Sequence, residues 1–137
     1  MGRTDTEKLI ADFLAALNGR DMAALAALLH PDAVHDAPDG ARSVGAEALR
    51  EWFFRQAAQF EETIADIVAM SDASGMHGAA EFTRRGLYRT TAPGLPAAAG
   101  QRYALRDALL FEAEDGRITR VSAPGGREAL ARALAGR

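Results

Sequence analysis

QRYALRDALLFEA, residues 101–113, is the stretch of sequence that decides the fold. Side chains alternate between the two faces of a β-strand, so this stretch divides into an apolar row and a row rich in charge. The apolar row consists of Tyr103, Leu105, Asp107, Leu109, Phe111 and Ala113. The pattern predicts a long strand with one face against a core, and it places a single carboxylate, Asp107, in the middle of that face.

The flanking sequence completes an α+β pattern. Apolar residues at helical spacing predict helices over residues 6–17, 22–29 and 46–60, and a last helix over 127–135. Alternation and turn residues predict strands over 33–37, 42–44, 62–70, 77–89, 101–113 and 117–123, with a long loop at 90–100. Helices followed by a strand meander are typical of the α+β class. We therefore expect one domain over residues 1–137, a cone of about three N-terminal helices on a strongly curved, mostly antiparallel mixed sheet that encloses a pocket.

Composition excludes several classes of function. The 16 Lys and Arg residues are scattered and the net charge is −3, whereas nucleic-acid binding needs concentrated positive charge. The chain has no cysteine, which excludes disulfides and thiolate catalysis. No apolar run is long enough to cross a bilayer, and the N-terminus has acidic residues where a signal peptide needs an apolar stretch. We expect a cytoplasmic protein that binds neither nucleic acid nor membrane.

Asp107 is the residue that points most directly to a function. Burying an ionised carboxylate without partners is costly, so Asp107 must either gain hydrogen bonds or stay protonated. Carboxylates perturbed in this way are enriched at active sites, where they act as acids or bases. The alternative is a structural acid that pairs with an arginine from a helix.

Asp36 and His35 are the next candidates for chemistry. If Val34 faces the core, alternation turns Asp36 toward the pocket and His35 outward. Asp36 would otherwise support the turn at residues 38–40, and His35 would otherwise be an edge or interface residue. An unperturbed imidazole titrates near pH 6.5 and could serve as a general base. The spacing of His30, His35 and Asp36 matches no metal-ligand pattern, so we expect no metal.

Three aromatic residues, Trp52, Tyr88 and Tyr103, are candidates for the pocket wall. Each could equally be a core residue, because aromatic side chains dominate core burial. Their polar tips would need hydrogen-bond partners in either case. The sequence has neither a Gly-x-Ser-x-Gly nucleophile elbow nor a phosphate-binding glycine loop.

Several short segments occur in a familiar order along residues 7–121. They are FLAALNGRD (13–21), DAVHD (32–36), GLP (94–96) followed by Gly100, then Asp107, and DGRI (115–118). Together they resemble the nuclear transport factor 2-like superfamily, in particular its ketosteroid-isomerase-like and SnoaL-like polyketide-cyclase branches. The resemblance implies a conical fold, a homodimer formed through the outer face of the sheet, and no metal or organic cofactor.

The resemblance also implies roles for particular residues. In ketosteroid isomerases a strand aspartate shuttles a proton, while a helix tyrosine and a protonated aspartate stabilise the oxyanion. Asp36 falls at or within one residue of the base, Asp107 matches the protonated acid, and Phe13 replaces the tyrosine without its hydroxyl. In SnoaL-like cyclases the aspartate at the Asp107 position is itself the acid/base, and Tyr88 falls near a position that is often histidine.

The function expected from these patterns is proton transfer on a hydrophobic carbonyl compound, by isomerisation or cyclisation. The catalytic candidates are Asp36, Asp107 and His35, and the substrate-binding candidates are Phe13, Trp52, Tyr88, Tyr103, Leu105 and Leu109. Because Phe13 lacks a hydroxyl, another donor such as Tyr103 or Tyr88 would have to stabilise the oxyanion.

Two alternatives stay open. One is a dimeric module that binds a small hydrophobic ligand without turnover. The other is epoxide hydrolysis by carboxylate-activated water, which occurs elsewhere in the superfamily and would need an Asp–Arg–Asp array containing Arg84 or Arg106. Strand alternation places Arg106 on the polar face, which disfavours that residue.

Overall fold

A computed structural model of the protein describes residues 1–136. The elements in chain order are α1 (Arg3–Asn18), α2 (Met22–Ala27), β1 (Leu29–Asp36), β2 (Arg42–Val44), α3 (Ala46–Gln59), β3 (Phe60–Ser71), β4 (His77–Tyr88), β5 (Arg102–Glu114), β6 (Arg117–Ser122) and α4 (Arg127–Leu134). The predicted α+β class is confirmed. Within the described residues, no helix has the length and apolar character needed to cross a membrane.

The six strands form one open sheet in the order β2-β1-β6-β5-β4-β3. All neighbouring pairs are antiparallel except β1 and β6, which are parallel. The pairing of β3 with β4 is interrupted by a bulge between Ala65 and Val68, where Asp66 has φ 51°. Bulges bend a strand and increase its twist, so β3 curves around the helices.

The boundary between α2 and β1 differs from the prediction, which extended the second helix to Leu29. The helix ends at Ala27, and Leu29 already pairs with Ile118 in β6. The backbone N–H of Ile118 donates to the carbonyl of Leu28 over 2.8 Å. This long-range pairing supplies partners that a helical turn would otherwise provide, and it overrides the local helical pattern.

The main core lies between α1, α3 and the concave face of the sheet. Its buried side chains include Ile10, Phe13, Leu14, Leu49, Phe53, Phe82, Phe111, Ile118 and Val121. Asn18 ties the end of α1 to β3 through both of its amide atoms. Its Nδ2 donates to the carbonyl of Ile64 over 2.9 Å, and its Oδ1 accepts from the Ile64 N–H over 2.7 Å.

A second apolar cluster joins α4 to the opposite end of the sheet. It contains Phe60, Tyr88, Ala92, Tyr103, Leu130 and Leu134. The Tyr88 hydroxyl accepts from the Ala92 N–H over 2.8 Å and donates to the carbonyl of Pro96 over 2.7 Å. Tyr88 thereby fixes the loop that follows β4 against the sheet.

Candidate active site

A cavity opens on the concave face of the sheet beside α1 and α3. Its volume is about 90 Å³. A single water needs roughly 10–15 Å³, so the cavity has room for several waters or for a small ligand. The lining residues are Leu17, Asn18, Arg20, His35, Pro38, Trp52, Phe53, Gln56, Ala57, Phe60, Glu62, Ile64, Phe82, Arg84, Asp107, Leu109 and Ala123.

Asp107 lies on the wall of this cavity with its side chain 16% exposed. The inward row of β5 is the one that alternation predicts, since Tyr103 and Phe111 are buried while Arg106 and Leu110 are exposed. The Oδ1 atom of Asp107 accepts from the N–H of Ala108 over 2.8 Å. Its other oxygen, Oδ2, accepts from Arg84 Nη1 over 3.1 Å. Asp107 is therefore paired with an arginine, which comes from a neighbouring strand and not from a helix.

Arg84 joins two carboxylates into one array. Its side chain is 10% exposed, and its Nε donates to Glu62 Oε1 over 2.8 Å while Nη1 holds Asp107. Burial alone would lower the pKa of Arg84, but the charges of Glu62 and Asp107 outweigh it and raise that pKa above its usual value. The site therefore contains a guanidinium that stays protonated between two acids.

Tyr103 reaches this array across β4. Its hydroxyl donates to Glu62 Oε1 over 2.6 Å, and Gly86 is paired with Glu62 on one side and with Tyr103 on the other. A Cβ atom on Gly86 would come within 2.6 Å of the Tyr103 hydroxyl oxygen, so only glycine allows this crossing. Burial and the nearby charge of Glu62 raise the pKa of Tyr103, which keeps its hydroxyl as a donor.

A second glycine brings the C-terminal segment against Asp107. Gly126 precedes α4 with φ 92°, a conformation that side-chain-bearing residues rarely adopt. A Cβ atom there would lie 2.9 Å from Asp107 Oδ1. The turn before α4 therefore packs directly on the carboxylate and restricts its position.

The predicted orientations of His35 and Asp36 are wrong. His35 is 2% exposed and lines the cavity, with its ring centroid 4.8 Å from that of Trp52 and 5.4 Å from that of Phe53. It shares the buried row of β1 with Ala33, and the row continues to Ala37 directly after the strand. These small alanines let α3 pack closely on β1, so their row faces inward.

Burial also sets the charge state of His35. It lowers the pKa of the imidazole from 6.5, and the charges of Asp36 and Asp39 offset this only in part. His35 is therefore neutral at neutral pH, and burial disfavours its protonated form.

Asp36 lies outside the cavity, in an ion-pair cluster on the other face of β1. It accepts from Arg42 Nε over 2.6 Å, from Arg120 Nη2 over 2.6 Å and from the hydroxyl of Ser122 over 2.9 Å. The hydrogen bond from Arg42, with the further contacts, holds the pKa of Asp36 well below its usual range. Asp36 thus joins β1 to β2 and β6 through these contacts, and it does not face the pocket as expected.

The predicted substrate-binding residues divide into two groups. Trp52 and Leu109 line the cavity, whereas Phe13, Tyr88, Tyr103 and Leu105 do not. Phe13 is fully buried, with its ring edge-to-face to Phe53 and Phe111 at centroid distances of 5.6 and 5.3 Å. The two tyrosine hydroxyls donate elsewhere, to Pro96 and to Glu62, so neither is free to act as the missing oxyanion donor.

Glu62 is the residue of the site that the sequence analysis missed, and Arg84 entered it only as part of an alternative. The signal that singled out Asp107 was present for both. Glu62 alternates with the buried Phe60 and Ile64, and Arg84 follows the buried Phe82 by two residues. A charged residue within an inward-facing apolar row would have identified each of them.

Comparisons with known proteins place the chain in a family. Residues 10–121 match the family model described as a SnoaL-like domain. No curated protein matches the chain in sequence. A crystal structure of a candidate polyketide cyclase from Xanthomonas campestris is 32% identical with a TM-score of 0.90, and the match covers 96% of this chain and 98% of that one.

Two further structures extend the comparison. A candidate polyketide cyclase from Pseudomonas putida is 34% identical with a TM-score of 0.89, over 94% of this chain and 97% of that one. An LEH-like epoxide hydrolase from Mycobacterium tuberculosis is 24% identical with a TM-score of 0.65, over 88% and 81% of the two chains, and shares the fold. Because the family model matches residues 10–121, which are most of the chain, the chain belongs to the SnoaL-like domain family.

Proposed function

We propose that the protein is a cofactor-independent acid–base enzyme that moves a proton on a small hydrophobic carbonyl compound, in an isomerisation or a cyclisation. The observation that carries the proposal is the Asp107 carboxylate, held by Arg84 on the wall of a largely apolar cavity. The similarity to two candidate polyketide cyclases above 30% identity supports chemistry of this kind.

Asp107 is the acid/base in this proposal. The N–H groups of Arg84 and Ala108 donate to the two oxygens of Asp107, an arrangement that suits a carboxylate. A carboxylate can act as a base, so in this proposal Asp107 takes a proton from carbon and then returns it. This differs from the protonated acid that the resemblance to ketosteroid isomerases implies. His35, neutral and in the cavity wall, is the second group that can exchange a proton, and Asp36 has no part in the reaction.

The cavity favours a small substrate. With room for several waters, it suits a compact ligand. The aromatic and aliphatic side chains around it favour an apolar ring system beside the carboxylate.

The test is exchange of the α-protons of 1-indanone in D₂O, followed by NMR. We expect the unaltered protein to catalyse exchange and Asp107→Asn to lose about 10²–10⁴-fold of the rate, the usual contribution of a general acid or base. Glu112→Gln is the matched control, because Glu112 lies on the same strand but faces outward, next to Arg120. Absence of exchange by the unaltered protein, or equal rates in both variants, would rule the proposal out and leave a binding module.

Epoxide hydrolysis is a second candidate, and the Glu62–Arg84–Asp107 array favours it. One carboxylate would take a proton from water as the water oxygen bonds to an epoxide carbon and the ring C–O bond of that carbon breaks. The resulting alkoxide would then take this proton back from the carboxylic acid, which gives the diol. Formation of the diol from styrene oxide, lost in Asp107→Asn but kept in Glu112→Gln, would support this reaction in place of exchange.

A further inference from the structure

We propose that Arg84 binds the carbonyl oxygen of the substrate and stabilises the negative charge that develops on it, with Glu62 and Tyr103 as positioning residues. The inference deepens the proposed function and rests on it. It gives the site the oxyanion donor that Phe13 cannot provide.

The position of Arg84 next to Asp107 is the first argument. The carbon that loses a proton is bonded directly to the carbonyl carbon, so the base and the oxygen's donor must lie within a few ångströms of each other. Arg84 Nη1 is 3.1 Å from Asp107 Oδ2. Asn18, another donor in the cavity wall, has its amide group occupied by the backbone of Ile64.

The free donors of Arg84 are the second argument. Its Nε donates to Glu62 and its Nη1 to Asp107, while Nη2 makes no hydrogen bond of standard geometry within residues 1–136. In that part of the chain every fully buried side-chain nitrogen or oxygen has a hydrogen-bond partner. Nη2 is therefore not fully buried, and part of its surface is open to solvent. Because Arg84 lines the cavity, we assign these N–H groups of Nη2 to a ligand there.

Negative charge moves during the reaction between two oxygens that Arg84 can bind. As the α C–H bond breaks, its proton goes to Asp107 and its electron pair delocalises onto the carbonyl oxygen. The negative charge thus passes from one oxygen bound to Arg84 to another oxygen bound to Arg84. The guanidinium neither gains nor loses a counter-charge, and a fixed donor of this kind needs no reorganisation as the charge shifts.

Glu62 and Tyr103 hold the guanidinium in place. Glu62 Oε1 accepts from Arg84 Nε over 2.8 Å and from the Tyr103 hydroxyl over 2.6 Å, so its orientation is fixed from two sides. A positioned arginine loses little conformational freedom when it binds an oxygen. Tyr103→Phe should therefore weaken the donor while leaving every charge in the site unchanged.

The kinetic test compares Arg84→Lys with Arg85→Lys in the 1-indanone exchange assay. Arg84→Lys keeps the charge but cannot hold both carboxylates and a ligand, and loss of one oxyanion donor typically costs about 10²–10³-fold in kcat. We expect that loss with KM little changed, and a smaller loss of kcat in Tyr103→Phe. Arg85, on the outward face with its side chain 62% exposed, should tolerate the change. Equal rates in the two lysine variants would overturn the assignment.

A binding test is independent of turnover. In Asp107→Asn the amide mimics the protonated base, so the cavity should bind 4-nitrophenol as the phenolate at a pH below the pKa of the free phenol. Its visible absorbance band reports this directly. The band should vanish when Arg84→Lys is added and persist when Arg85→Lys is added. A phenolate band that persists with Arg84→Lys would overturn the role of Arg84 while leaving the role of Asp107 intact.

Discussion

Replacing Arg84 by methionine should destabilise the protein more than any other single charge removal in the sheet. The Arg84 side chain is 10% exposed, and its guanidinium compensates the charges of Glu62 and Asp107, whose side chains are 17% and 16% exposed. Methionine keeps much of the apolar bulk but leaves two acids side by side without a counter-charge. Removing one partner from a buried ion pair costs about 3–5 kcal/mol. For a chain of this length that corresponds to a fall in Tm of roughly 10–20 °C.

Arg85→Met is the matched control for this prediction. Arg85 is the next residue of β4, 62% exposed, and its Nη2 is 3.8 Å from a carboxylate of Asp66 that is 63% exposed. A solvent-exposed pair of this kind contributes less than about 1 kcal/mol. The two variants therefore differ in burial and in partners, and not in the type of residue removed.

Urea unfolding monitored by circular dichroism measures both free energies of unfolding. If the cost in Arg84→Met arises from unpaired acids, adding Glu62→Gln and Asp107→Asn should restore at least half of the loss, because neutral amides need no counter-charge. An Arg84→Met variant as stable as Arg85→Met would refute the description of the array as a buried, mutually dependent set of charges. Failure of the added amides to restore stability would refute it equally.

Three further predictions concern other parts of the molecule. Burial lowers the pKa of His35 from 6.5, so below that pH the unfolded chain binds a proton that the folded chain does not. The midpoint of urea unfolding should therefore fall between neutral pH and about pH 5. It should fall less in His35→Gln, which lacks the titrating group. Gly126→Ala should cost about 1–2 kcal/mol in thermal unfolding and slow 1-indanone exchange, because its Cβ would meet the Asp107 carboxylate, whereas Gly125→Ala meets nothing within 4 Å and should do neither. We expect a homodimer through the outer face of the sheet, where Leu110 is 46% exposed. Light scattering should give the mass of a dimer for the unaltered chain and the mass of a monomer for Leu110→Glu. A monomer mass for the unaltered chain would contradict this expectation.

The long strands were predictable from their residue types and from the turn residues between them. In β5 the two rows differ strongly, so alternation alone gave the inward face of Asp107. In β1 the rows differ little, with Val34 in one and Ala33 and Ala37 in the other, and the inward face is decided by the close packing of α3. A local pattern cannot supply that information. The prediction therefore turned Asp36 inward and His35 outward, which is the reverse of their orientations in the structure.

The contacts around Arg84 could not be predicted from the sequence for a different reason. Its members come from three strands, and their contacts depend on the register that pairs Glu62 with Gly86 and Gly86 with Tyr103. Register is set by pairing over long sequence separations and by the bulge in β3. The sequence could show that each strand has a polar residue in its apolar row, but not that these residues meet.

The most direct test of the central claim is a crystal structure of the protein soaked with 1-indanone. The account predicts the ligand in the cavity beneath Trp52, with its carbonyl oxygen within hydrogen-bond distance of Arg84 and its α-carbon facing Asp107. A cavity that holds only water at saturating ligand, or a ligand whose carbonyl points away from the Arg84–Asp107 pair, would contradict it.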